Sequence, residues 1–146
     1  LQRQMVHCVD THCEFECHFS LSVAAFCKEV TSYGVYEEFK PPTFRAGARV
    51  VLYVEVENFV SEPVAGRFET ELIGEYTIFN DRGQRVVSVV LPPDLQQCNN
   101  QRRDYFIAYV LKLPDDVGPG EYSLSLTIED AKGKKSNQTA VDFRIR

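Results

Sequence analysis

Tryptophan is absent from this chain, methionine occurs once (Met5), and no apolar run is long enough to cross a bilayer. A membrane helix needs about 20 consecutive apolar residues, so no such span is expected. Serine-nucleophile elbows, phosphate-binding glycine loops and dinucleotide fingerprints are also missing, and with them the common signatures of hydrolases, nucleotidases and dehydrogenases. No stretch repeats its apolar residues at the helical period. The basic clusters, Arg102-Arg103 and Lys132 to Lys135, are short and lie beside acids, so they read as solvated turns rather than a nucleic-acid footprint.

What is present is alternation. Tyr122, Leu124, Leu126 and Ile128 fall on one face of a strand launched by Pro119-Gly120, with Glu121, Ser123, Ser125, Thr127 and Glu129 on the other. A turn containing Gly133 then leads into a second alternating run that ends Val141-Asp142-Phe143-Arg144-Ile145. Val50, Leu52, Val54 and Val56 alternate in the same way and predict a central strand. Glu14 to Val23 alternates too, with Phe15, Cys17, Phe19, Leu21 and Val23 on one side, in a strand beginning by Cys13; Ala25 to Val30 reads as a second strand. Asn80-Asp81-Arg82-Gly83 predicts a hairpin turn with Gly83 at a positive φ. Pro92 to Gln101 reads as a polar loop, and Tyr105 to Leu113 as a strand apolar on both faces.

About eight strands at this spacing predict an all-β, immunoglobulin-like antiparallel sandwich. With 146 residues, 44% of them hydrophobic and 25% charged, one globular domain is expected over residues 13–146, preceded by an arm over residues 1–12. The start at Leu1 reads as a processed form or an excised domain. The net charge of −5 is uneven: residues 1–75 hold 6 basic and 12 acidic side chains, residues 76–146 hold 10 and 9.

Phe26-Cys27-Lys28-Glu29-Val30 with Tyr33-Gly34, the run Leu52 to Phe59, Arg102 to Ile107 and Leu126 to Asp130 together resemble immunoglobulin-like proteins of planctomycete-type bacteria. The resemblance covers the chain from about Phe26 onward and brings no activity with it. The order Asn58, Pro63, Phe68, Tyr76-x-Ile78, Asp81-x-Gly83, Val86, Pro119-Gly120-x-Tyr122 is similar in layout to the bacterial intracellular proteinase-inhibitor sandwich. Its shared residues are turn formers that any such sandwich needs.

Candidate chemistry is sparse. His7, Cys8, His12, Cys13, Cys17 and His18 concentrate soft ligands of the kind zinc takes. No C-x-x-C occurs, and a strand through Cys17 and His18 would point them to opposite faces, which favours core cysteines with surface histidines. Cys27 and Cys98 would close a long loop if bonded, constraining the unfolded chain by about 4 kcal/mol; buried or incidental thiols are the alternative. Glu55 with Glu57, and Glu69 with Glu71, are paired carboxylates of the kind glycosidases use, but they read as a solvent face. The loop acids Asp81, Asp115, Asp116, Glu129 and Asp130 lack a calcium-loop pattern, and Asn137-Gln138-Thr139 fits a glycosylation sequon.

These observations point to a non-catalytic immunoglobulin-like binding or spacer module of a bacterial envelope or secreted protein. It is expected to take no cofactor, to bind no nucleic acid, and to contact a protein partner or neighbouring domains of the same polypeptide. Loop Asp94 to Arg103 is the candidate recognition segment. The alternative is a proteinase inhibitor acting through an exposed loop, Ser61 to Arg67, pinned by Pro63.

Overall fold

The computed structural model describes residues 18–101 and 105–146. The described residues are all-β, with no helix among them, and form eleven strands: β1 (Ser20–Ser32), β2 (Val35–Glu38), β3 (Thr43–Phe44), β4 (Arg49–Glu57), β5 (Glu62–Val64), β6 (Arg67–Asn80), β7 (Arg85–Val90), β8 (Asp94–Cys98), β9 (Tyr105–Lys112), β10 (Gly120–Asp130) and β11 (Lys135–Ile145). No helix of the described residues is long and apolar enough to cross a membrane.

The strands make two sheets. One has the order β2-β1-β4-β9, antiparallel throughout. The other has the order β3-β11-β10-β6-β5, with β7 and β8 also paired to β6. Among the described strands only the β3–β11 pair is parallel. Strands β7 and β8 lie in succession along one side of β6, interrupted at Pro92-Pro93, where proline removes two ladder donors. The other side of β6 carries β10 and β5.

One hydrophobic core fills the space between the sheets. Phe26, Leu52, Val54 and Ile107 enter it from the four-stranded sheet, and Leu72, Ile78, Leu124 and Leu126 from the other. The alternating runs expected at Val50–Val56 and Leu124–Ile128 thus share one interior, with Tyr122 half-buried at its margin. β4 is a central strand, as its pattern predicts. Gly83 has φ 75°, and Asn80 organises that turn: its Oδ1 accepts from the N–H of Arg82 and of Gln84, each at 2.9 Å.

Three sequence expectations change. Residues 20–32 are one strand, not two, and a register shift between Leu21 and Val23 reverses its phase. Phe19 and Leu21 therefore face the main core, whereas Val23 and Cys27 face outward from the sheet. Residues 94–98 of the expected polar loop form β8, held by backbone pairing to β6. The expected extended loop at residues 61–67 is a tight hairpin: Val64 pairs with Arg67 across Ala65 (φ 51°) and Gly66 (φ 81°), the geometry of a two-residue turn.

Candidate functional site

The outer face of the four-stranded sheet departs from the usual arrangement, in which one side of an antiparallel sheet packs and the other is polar. In β4, Val51, Tyr53 and Glu55 point away from the core. Opposite them stand Cys27, Ala25 and Val23 of β1 on one side and Val110, Ala108 and Phe106 of β9 on the other. Glu55 is the one charged group in this three-by-three array. Val110 is 60% exposed and Ala108 is exposed, while Val51, Val23 and Phe106 are half-buried.

Tyr53 is the centre of this face. Its ring is stacked between Tyr36 of β2, at 4.3 Å and 27°, and Phe106 of β9, at 5.4 Å and 26°. It is fully buried although it lies on the side of the sheet away from the main core. Its hydroxyl donates to Glu55 Oε2 at 2.6 Å and accepts the N–H of Gly34 at 2.7 Å, which ties the β1–β2 turn onto the face. Burial, and then the bond to Glu55, push the Tyr53 phenol up to about 12. Tyr36 is raised by burial and by the charges of Glu55 and Glu38. Burial, reinforced by Glu38, also raises the Cys27 thiol, so it is held as the neutral, weakly reactive form. The result is a stacked aromatic platform with one oriented carboxylate, its central ring buried beneath its neighbours.

The sequence-predicted site residues are dispersed. His7, Cys8, His12, Cys13 and Cys17 lie outside the described residues; His18 is exposed, and its backbone carbonyl accepts from Asn58 Nδ2 at 2.8 Å. Among the described residues no group of three or more His, Cys, Asp or Glu side chains is placed to hold a metal ion. Cys27 and Cys98 are free thiols on different sheets, the first on the outer face of β1 and the second in β8 opposite Phe68. Glu69 is engaged by Lys132 Nζ at 2.7 Å and by Gln97 Nε2 at 2.8 Å; the lysine lowers its carboxyl and then the glutamine adds to the effect. Asp130 is buried and structural: its carboxylate accepts from Val60 N–H at 2.7 Å and from Gly133 N–H at 3.2 Å. Asn137 of the sequon donates its side-chain amide to the Phe19 carbonyl at 3.0 Å.

A groove of about 400 Å³ on the seven-stranded sheet has Ile73 and Thr127 among its lining residues, together with Glu75, Glu129, Lys134 and Lys135. Its charges are of both signs, and it lacks the apolar continuity of the tyrosine platform. The platform was legible in part from the sequence, since Tyr105 to Leu113 is apolar on both faces. Its β1 half was hidden by the phase reversal after Leu21.

No family model and no curated protein matches the chain. Among solved structures, it is similar to part of a family 123 glycoside hydrolase from Clostridium perfringens, at 10% identity and a TM-score of 0.46, over 71% of this chain and 22% of that one. It is also similar to part of a β-glucuronidase from Bacteroides uniformis, at 14% identity and a TM-score of 0.43, over 88% of this chain and 13% of that one. The chain therefore spans less than a quarter of either protein, and likenesses of this degree carry no argument about function.

Proposed function

We propose that this chain is a non-catalytic, immunoglobulin-like binding or spacer module of a bacterial envelope or secreted protein, working through the outer face of its four-stranded sheet. One observation carries the reading: that sheet is apolar on both sides, and the outer side centres on the stacked Tyr36, Tyr53 and Phe106 rings. Exposed apolar surface is the usual mark of an interaction site, and here Val110 and Ala108 are exposed and Val23, Tyr36, Val51 and Phe106 half-buried around the buried Tyr53. The immunoglobulin-like assignment is supported by two largely antiparallel sheets around one core, and by eight strands of five or more residues, the other three being shorter. A proteinase inhibitor is the alternative; it would act through a loop other than residues 61–67, which are tied into a hairpin.

Site-specific photo-crosslinking in the native cell tests the reading. A photoreactive residue at Val51 is expected to capture a protein partner or a neighbouring domain, and one at Ser125, on the outer face of the other sheet, is not. Equal capture from both positions, or none from Val51, contradicts it.

A further inference from the structure

Among the terminal strands of the two sheets, β9 differs from the rest. β2 has four residues and shifts register twice, β3 has two residues, β5 has three and carries Pro63, and β7 and β8 are broken apart at Pro92-Pro93. Short length, proline and bulges are the devices by which proteins keep sheet edges from pairing. β9 has none of them: its eight residues contain no proline, and its pairing with β4 runs from Arg49–Lys112 to Val56–Tyr105 without a register shift.

The direction of its outward hydrogen-bonding groups follows from one bond. Leu113 donates its N–H to the Ala48 carbonyl at 2.8 Å. Backbone groups alternate sides along a strand, so Leu111, Tyr109 and Ile107 also bond toward β4. Phe106, Ala108 and Val110 therefore direct both N–H and C=O away from the sheet. No described strand pairs with that side of β9.

We infer that the outward edge of β9, unpaired among the described residues, pairs antiparallel with β9 of a second copy of this chain, about a two-fold axis at Ala108. The edge is self-complementary in that register. Ala108 meets its own counterpart, and Phe106 of each copy lies opposite Val110 of the other, an aromatic and β-branched pair of the kind that stabilises sheets. Each of these residues then exchanges its outward N–H and C=O with the facing chain. No like charges are brought opposite each other, and the small Ala108 side chains let the strands meet at the axis. The two four-stranded sheets join into one, with the apolar outer face continuous across the axis. A two-fold interface of this kind closes on itself and leaves no second edge of β9 to propagate. This inference does not rest on a partner at the outer face.

Sedimentation equilibrium of the 146-residue chain over a concentration series, combined with amide exchange by NMR, tests it. The expected result is a monomer–dimer equilibrium in which the amides of Phe106, Ala108 and Val110 gain protection as dimer forms. Those of Tyr109 and Leu111, already bonded to β4, are protected throughout. Ala108→Pro removes one outward N–H and no bond to β4, and is expected to abolish the dimer; Val51→Lys, which alters the outer face and not the edge, is expected to keep it. A monomer at every concentration overturns the inference. So does a dimer in which the three edge amides exchange as fast as in the monomer, a result that stands even if the proline variant fails to fold.

Discussion

At the scale of single residues, adjacent positions on one strand have opposite fates. Leu126 is fully buried between the sheets, whereas Ser125 next to it faces the other way and is half-exposed. Leu126→Ala is expected to cost about 2–5 kcal/mol through lost burial and the cavity left behind. Ser125→Ala is expected to stay within about half a kcal/mol. Denaturant titration of the two variants checks the pair, and equal losses would contradict the face assignment. Tyr53 gives a pH dependence. Its phenol is raised from about 10 to about 12 by burial and by the bond to Glu55. A pKa raised in the folded state means that the unfolded chain loses the proton first. The stabilisation is then complete below about pH 10 and disappears as the pH rises through 12. Tyr109, raised by burial and by Asp94, acts in the same direction. Tyrosinate absorbance is expected to lag behind that of free tyrosine until alkaline unfolding sets in. Ionisation of Tyr53 near pH 10 in a chain that stays folded would contradict this.

At the scale of elements, alternation made most strands legible, and local exceptions to it were not. The period-two pattern finds β4 and β10 because each has one wholly apolar side. It fails in β1, where one register shift moves Val23 to the other face without any change in residue type. β8 escaped because Asp94-Leu95-Gln96-Gln97-Cys98 is polar; backbone pairing to β6, not side-chain burial, makes it a strand. In the β10–β11 turn, the positive φ falls at Lys134 (56°), not at Gly133. Gly133 is needed for close approach: a Cβ there would lie 2.7 Å from Asp130 Oδ2 and 2.8 Å from Val60 Cγ2. The Asp130 carboxylate joins this turn to the segment after β4 through its bond to Val60 N–H. Asp130→Ala leaves that donor without its partner and is expected to cost about 1.5–3 kcal/mol, as for other hydrogen bonds to charged groups. Thermal unfolding checks it, and a midpoint equal to the wild type would remove Asp130 from its structural role.

At the scale of the whole molecule, the four-stranded sheet is the unusual part. Its inner face closes the core with Leu52, Val54 and Phe26, and its outer face carries a second cluster around Ala25, Cys27 and Tyr53. The sequence showed the first face clearly. The second depends on which strands become neighbours, because Tyr36, Tyr53 and Phe106 are distant along the chain and stack only through the order β2-β1-β4-β9. Val50 and Val51 separate the two faces within one dipeptide: Val50 is buried in the core and Val51 lies half-buried outside it. Val50→Lys buries a charge without a partner and is expected to unfold the domain, whereas Val51→Lys places its charge at the outer face and is expected to leave the thermal midpoint nearly unchanged. The most direct test of the outer face as a binding surface is the yield of partner captured by a photoreactive residue at Val23, compared with and without Val51→Lys. Loss of capture in a variant that stays folded is the predicted result, and undiminished capture would contradict the account.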